Sequence, residues 1–288
     1  MGGRNYSAPS RPRLTIPHSP SHAFSRSGGR VVRIIVVDPV MMDRDLALPR
    51  YGLLYRLFGV VAAVWLTVSL VFAVLGPVSQ LPILEQTARN LYFHVPMWFV
   101  LYLGAVVGAW HAGRYLATGR TVHDVRSEAA WMISTVAGVV ALVTGVVWAR
   151  FTWYQGTGLW WSPEPRQNMV AVQLLISGAY FVLRGSIDRP RSRARLSAVY
   201  ALFATATLPF LTYVLPRRMA SLHPGAEGNP AFSDMDIAAD MQWIFYSCAV
   251  GFIMLGWWLY TQRVRSNVAE LRVEAGRIGT QAPSVVVT

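Results

Sequence analysis

Six apolar runs follow one another along the chain after residue 50, separated by polar segments that are rich in arginine. A helix needs about 20 apolar residues to cross the hydrocarbon core of a bilayer, so runs of this kind predict membrane-spanning helices. The pattern predicts an all-α integral membrane protein with six transmembrane helices, the fourth extended at both ends and the fifth kinked at Pro209. The predicted spans are Leu57–Leu75, Val95–Leu116, Ala129–Ala149, Met169–Leu183, Leu196–Leu215 and Trp243–Tyr260.

The two ends of the chain lack this pattern. Residues 1–50 are rich in Ser, Pro, Gly and Arg and have no helical periodicity, which is typical of a disordered tail. Their one apolar piece, Val31–Val37, is interrupted by Arg33 and is too short for a span. Residues 51–265 are expected to form the membrane domain, and residues 266–288 a polar, basic C-terminal tail in the cytoplasm.

Composition supports a membrane protein, and charge predicts its orientation. The sequence is 53% hydrophobic and 14% charged, whereas soluble domains carry about 25% charged residues. The basic residues are all arginine and crowd before span one, between spans two and three, between spans four and five, and after span six. The positive-inside rule then predicts that both termini lie in the cytoplasm. This distribution indicates topology in a lipid bilayer and not a nucleic-acid-binding face.

The predicted orientation brings three features to the outer side of the membrane. His94 lies in NLYFHVPMWF where span two begins, His223 precedes Pro224 and Gly225 between spans five and six, and a tryptophan-rich loop joins spans three and four. The positive end of a helix dipole favours a neutral imidazole, the form that binds metals. Two such imidazoles on one face predict axial ligands for haem iron. The alternative is two separate structural histidines.

Aromatic and basic side chains near the two histidines fit the rest of a haem molecule. The porphyrin is a large apolar disc that packs on indole rings, and its propionates suit arginine. The candidate haem-contacting residues are Trp148, Trp153, Trp160, Trp161, Arg166, Arg217 and Arg218. The alternative for the tryptophans is an aromatic belt at the membrane interface. Zinc fits less well, because two histidines need further ligands and these loops offer few carboxylates.

The chain resembles the CcmC family of haem-handling proteins in cytochrome c maturation, which belongs to a superfamily with a tryptophan-rich WWD loop. The resemblance covers roughly residues 51–265 and is strongest in NLYFHVP, WWSPEPR and LPRRMASLHPG. It implies six spans, an outer-face tryptophan loop between helices three and four, and one histidine in each flanking outer loop. Glu164 falls where the family usually has aspartate, and Pro163 falls where many members have another tryptophan.

Under this resemblance, His94 and His223 match the axial ligands of a transiently bound, bis-histidine haem b. The matched positions of the WWD loop are Trp160, Trp161, Glu164 and Arg166. The resemblance implies that haem is presented at the periplasmic face of a bacterial inner membrane to the haem chaperone CcmE. It also implies the ATP-binding cassette pair CcmA and CcmB, and the small membrane protein CcmD, as partners. This activity is haem binding and delivery, not enzymatic catalysis.

Other functions stay open from the residues alone. A CcsA-type cytochrome c synthetase also has a WWD loop, although its complete form is generally larger. A membrane cytochrome b would usually carry bis-histidine haem within its helix bundle, and this sequence offers no histidine pair that faces another pair inside the spans. We expect His111 to have a packing or interfacial role and His123 to lie in solvent. A transporter would need polar residues in mid-span, and spans one and three have no ionisable residue.

Overall fold

Six helices that are long and apolar enough to cross a membrane make up most of the described chain. The computed structural model describes residues 23–27, 30–34, 52–78, 84–221, 223 and 237–281. The helices are α1 (Leu53–Leu75), α2 (Leu91–Thr118), α3 (Thr121–Thr152), α4 (Pro165–Gly185), α5 (Pro190–Pro209) and α6 (Ala239–Gln281). A 3₁₀ turn, Glu85–Asn90, leads into α2. The prediction of an all-α membrane domain with six spans is confirmed.

A short antiparallel hairpin precedes the helices in the chain. Its strands are β1 (Ala23–Ser27) and β2 (Arg30–Ile34), with Ala23 opposite Ile34. The hairpin belongs to a separate compact unit, Met1–Arg44, and the helices belong to the unit Asp45–Thr288. β-branched residues favour strands, which suits the sequence RVVRI of β2. The expected disordered tail over residues 1–50 did not include these strands, and the rest of that tail lies outside the described residues.

The ends of the later helices extend or modify the predicted spans. α4 begins at Pro165, and proline is well suited to the first turn of a helix. Pro209 lacks an N–H group, and after it α5 gives way to a π-helical turn, Phe210–Val214, and a 3₁₀ turn, Pro216–Arg218. The helix type therefore changes directly after Pro209, where a kink was expected, and the kink itself stays a prediction. α6 continues into the predicted C-terminal tail, and residues 282–288 lie outside the described residues.

Small residues let α2 and α3 pack closely against each other. A Cβ atom on Gly104 would lie 3.0 Å from Ser134 Cβ, and one on Gly108 would lie 2.7 Å from Trp131 Cδ1. Ser134 Oγ also donates a 2.7 Å hydrogen bond to the backbone oxygen of Leu101. Such small residues allow helix backbones to approach in a membrane. The close packing fixes how the start of α2 faces the end of α3, where the candidate site lies.

A buried ionic network lies at the end of the bundle where α3 begins, which we call the base. Arg184 of α4 donates two hydrogen bonds of 2.7 Å to the carboxylate of Asp124 in α3. Glu128, one turn further along α3, accepts a 2.8 Å hydrogen bond from Arg263 of α6 and another from Asn267. The Asp124 and Glu128 side chains are only 10% and 8% exposed. The network therefore ties α3 to both α4 and α6.

A histidine pair also lies at the base. The Nδ1 atoms of His111 and His123 are 3.1 Å apart, and the two rings stack with centroids 5.3 Å apart. Gly119, in the left-handed conformation, ends α2 and lets the chain fold back into α3, so residues on either side of this turn meet. His123 is buried, and its interpretation as a solvated residue is wrong. His123 precedes the predicted third span, Ala129–Ala149, so this pair does not lie inside two spans, and the expectation that no histidine pair faces another inside the spans stays a prediction.

Candidate functional site

The opposite end of the bundle, which we call the mouth, contains a cavity of about 520 Å³. It lies between the first turns of α2, the last turns of α3, the start of α4 and the segment after α5. Its volume falls within the range of about 300–1,000 Å³ that is usual for small-molecule sites. The lining residues that bear on its chemistry are His94, Trp98, Tyr102, Gly145, Trp148, Trp153, Glu164, Arg166, Thr212, Tyr213, Arg217 and His223.

His94 is buried in the first turns of α2, and both of its ring nitrogens are engaged. Trp98 Nε1 lies 3.2 Å from His94 Nε2, and Thr144 Oγ1 lies 3.0 Å from His94 Nδ1. The indole N–H can only donate, so Nε2 accepts and Nδ1 of the neutral ring carries the proton. A Cβ atom on Gly145 would lie 2.9 Å from His94 Cε1, so a glycine on α3 makes room for the ring. His94 is thus held in one orientation and one tautomer.

His223 is positioned by side chains from the loop before α4 and from the first turn of α4. Arg166 NH1 lies 2.9 Å from His223 Nδ1, and the Trp153 ring stacks on the imidazole with centroids 6.3 Å apart. The His223 backbone N–H donates to Ser221 Oγ at 3.1 Å, and Ser221 Oγ in turn donates to Glu164. Glu164 is itself buried. The acidic position of the tryptophan loop therefore acts on His223 through Ser221.

The two histidine rings lie close to each other in the lining of the cavity. Their ring centroids are 6.3 Å apart and the planes are inclined at 46°. Trp148 lies edge-on to both, with centroid distances of 5.9 Å to His94 and 6.2 Å to His223. One metal ion between two imidazoles needs a centroid separation of roughly 6 Å, twice the sum of a metal–nitrogen bond and the radius of the ring. The spacing of the rings fits a single metal atom between them.

The structure brings together most, but not all, of the residues predicted for the site. The predicted residues that line the cavity are His94, His223, Trp148, Trp153, Glu164, Arg166 and Arg217. Trp160 and Trp161 are 58% and 49% exposed and lie outside the lining, as does Arg218. Arg150 lies over the Trp160 ring at 5.8 Å, and Trp161 Nε1 donates a 2.9 Å hydrogen bond to Asn168.

The part of the cavity that lies deeper in the bundle was not predicted from the sequence. Trp98 and Tyr102 follow His94 at intervals of four residues along α2, and Tyr102 forms a 2.5 Å hydrogen bond with Thr212 after α5. Residues four apart lie on the same helix face. Counting four and eight residues from His94 along the predicted second span would have identified both side chains.

The arrangement suits a flat, apolar ligand that carries a metal and anionic groups. The walls are mostly aromatic and aliphatic, and the mouth presents the guanidinium groups of Arg166 and Arg217. Arg217 lies over the Tyr213 ring at 3.8 Å, which directs it along the wall. In the described part of the chain no group of three or more His, Cys, Asp or Glu side chains could hold a bare metal ion. The donor set of two imidazoles therefore fits haem better than zinc or another free ion.

Known proteins are similar to this chain over most of its length. A family model described as CcmC, Heme exporter protein C, matches residues 46–278. Heme exporter protein C of Paracoccus denitrificans is 24% identical over 196 residues, which cover 66% of this chain and 76% of that protein. The protein of the same name from Rhodobacter capsulatus is 25% identical over 198 residues, again 66% of this chain and 76% of that protein.

Proposed function

The chain belongs to the CcmC family, a family of haem-handling membrane proteins in cytochrome c maturation, and on that premise we propose that the mouth cavity holds haem and delivers it to a chaperone. His94 and His223 are the proposed axial ligands of a transiently bound haem b. The observation that carries this proposal is the 6.3 Å separation of the two imidazole centroids in a cavity of about 520 Å³. Haem is the cargo here and undergoes no chemical change in the proposed function.

The other lining residues take complementary roles in this proposal. Trp148 and Trp153 pack against the porphyrin, and Arg166 and Arg217 bind its propionates. Glu164 positions His223 through Ser221 and does not itself contact the iron. We assign the exposed Trp160 and Trp161 to the membrane interface around the mouth, and Arg218 to its surface.

The orientation of the protein follows from the placement of arginine. We propose that the arginine-rich base faces the cytoplasm of a bacterium and the mouth faces the periplasm, across the inner membrane. Delivery at the mouth would then supply the chaperone CcmE, with CcmA, CcmB and CcmD as further partners. No nucleic acid takes part.

A membrane cytochrome b is the main competing function, and the second histidine pair is the observation that bears on it. Two metal–imidazole bonds of about 2.0–2.1 Å each would separate the ligating nitrogens by about 4 Å. The Nδ1 atoms of His111 and His123 are 3.1 Å apart and in direct contact, which is too close for an iron atom between them. The geometry at the base therefore favours a structural pair over a second haem.

Titration of ferric haem into the detergent-purified protein tests the proposed function. We expect saturation at one haem per chain, with the absorption spectrum of a low-spin, six-coordinate haem, followed by transfer of that haem to purified CcmE. The control is the same titration in detergent without protein. A spectrum that stays high-spin at saturation would contradict bis-histidine ligation, and haem that binds but never reaches CcmE would contradict delivery.

Arg217 and Arg218 provide a matched pair for the proposed propionate contact. Arg217 lines the cavity and Arg218, the next residue, is exposed outside it. We expect Arg217→Ala to weaken haem binding by about tenfold, the value of one charge-assisted hydrogen bond, and Arg218→Ala to change it by less than about twofold. The measurement is the haem dissociation constant of each variant. Equal losses in the two variants would assign both arginines a general electrostatic role.

A further inference from the structure

The indole of Trp98 donates to Nε2 of His94, the ring nitrogen whose lone pair iron would need under the proposed function. Trp98 Nε1 lies 3.2 Å from His94 Nε2, and the two rings meet edge-on with centroids 6.3 Å apart. On the other side of the imidazole, Thr144 Oγ1 lies 3.0 Å from Nδ1 and itself donates to the backbone oxygen of Val140 at 2.8 Å. The threonine hydroxyl is thereby oriented to accept the Nδ1 proton.

This chain of hydrogen bonds fixes where the lone pair of His94 points. The indole can only donate, the threonine accepts from Nδ1, and the only lone pair in the plane of the neutral imidazole therefore lies on Nε2, under the indole N–H. Outer hydrogen bonds of this kind set the tautomer and orientation of metal-binding histidines. The Thr144 contact prepares His94 for ligation, whereas the Trp98 contact competes with it.

We propose that Trp98 is a reversible cap on His94, which must leave when haem iron binds and which returns to Nε2 as haem departs. This inference rests on the proposed function, because it concerns the same ligand. Breaking the Trp98–His94 hydrogen bond would lower the haem binding constant by about twofold to tenfold. The indole N–H left unpaired in an apolar cavity would lower that constant further. The cap therefore weakens the iron–histidine bond by a modest factor, which suits a site whose cargo has to leave.

The position of Trp98 supports a displaceable contact. The residue lies one helical turn after His94 and lines the same cavity, so its ring can move within that space while the backbone of α2 stays in place. His94 itself is confined by Gly145, whose added Cβ would lie 2.9 Å from His94 Cε1. The indole is thus the mobile partner and the imidazole the fixed one.

The test compares ferric haem with metal-free protoporphyrin on the full-length, detergent-purified protein. Trp98→Phe keeps an aromatic ring but removes the donor, and we expect it to bind haem about threefold to thirtyfold more tightly and to lose haem more slowly to an apoprotein scavenger. Metal-free protoporphyrin meets the same ring but has no iron to compete for Nε2, so the ratio of haem affinity to protoporphyrin affinity should rise by about the same threefold to thirtyfold. Thr144→Val should act in the opposite direction and weaken haem binding alone, and Trp110→Phe, at an exposed position on the same helix, should change neither ligand.

Three results would contradict the Trp98 cap, and they differ in what they imply for the proposed function. Equal changes for haem and metal-free protoporphyrin in Trp98→Phe would overturn the cap and assign Trp98 to packing. A ratio of haem affinity to protoporphyrin affinity that falls in Trp98→Phe would also overturn the cap, while leaving the proposed function intact. If neither the wild type nor Trp98→Phe bound haem while both bound metal-free protoporphyrin, iron ligation by His94 would be wrong, and the cap with it.

Discussion

Replacement of His94 or His223 by alanine is expected to weaken haem binding by about a hundredfold or more, whereas His111→Ala should leave it unchanged. Loss of a residue that merely supports a metal ligand costs about tenfold to a hundredfold in affinity, and loss of the ligand itself costs at least as much. His111 is a suitable control because it also belongs to a histidine pair, but at the base of the bundle. The measurement is the haem dissociation constant, together with the absorption spectrum at saturation.

The absorption spectrum of the bound haem tests the coordination of the iron, which the dissociation constant does not. Each single alanine variant leaves one imidazole at the mouth and a space where the other ring was. We expect a high-spin spectrum, and we expect free imidazole to enter that space and restore the low-spin form. A low-spin spectrum in His94→Ala without added imidazole would show that another side chain supplies the ligand, and would contradict the assignment.

Arg184→Met is expected to lower the free energy of unfolding by about 3–5 kcal/mol, because it leaves the Asp124 carboxylate buried without its partner. Asp124 accepts two 2.7 Å hydrogen bonds from Arg184, and its side chain is 10% exposed. The measurement is thermal unfolding in detergent, followed by tryptophan fluorescence. The matched control is Arg189→Met, which removes an exposed arginine from the connection between α4 and α5, five residues after Arg184.

The double variant separates an unpaired charge from a lost contact. Asp124→Leu combined with Arg184→Met removes both charges, and an apolar pair of similar size is often as stable as a buried ion pair. We therefore expect the double variant to recover most of the loss. If the double variant were as unstable as Arg184→Met, the contribution of Arg184 would come from its packing and not from its charge.

Hydropathy was sufficient to predict the membrane domain because each span must satisfy the same requirement for length and apolar surface. The structure extends the fourth span from Met169–Leu183 to Pro165–Gly185, since polar residues at helix ends lower the local hydropathy without ending the helix. Hydropathy could not predict the π-helical turn after Pro209. A proline indicates that the α-helical pattern is disturbed, but not which other backbone pattern replaces it.

The position of a site residue could be predicted from the sequence where the residue lies on a helix. It could not be predicted where tertiary packing determines the direction of the side chain. His94 and Trp148 lie on helices, and their place at the mouth follows from the span count. Trp160 and Trp161 lie in a loop, and whether an indole turns into the cavity or away from it depends on contacts such as the Trp161–Asn168 hydrogen bond. Composition alone could not separate Trp153, which stacks on His223, from its exposed neighbours.

The ionic network at the base is a second feature that could be predicted only in part from the sequence. Asp124 and Glu128 stand four residues apart in the sequence, which places them on one face of α3. Their partners, Arg184 and Arg263, come from α4 and α6, and many arginines at this end of the bundle could have served. The pairing depends on helix packing and is not encoded in local spacing.

The contact between Arg166 and His223 has a consequence for the order in which haem bonds could form. A guanidinium only donates, so Nδ1 of His223 must be accepting, and in a neutral ring the proton then sits on Nε2. His94 carries its proton on the other nitrogen, so the two rings are opposite tautomers. While Arg166 holds Nδ1, His223 has no lone pair left for a metal. Under the proposed function, a propionate that draws Arg166 away would free Nδ1 of His223, and capture of the carboxylate would then come before full coordination of the iron.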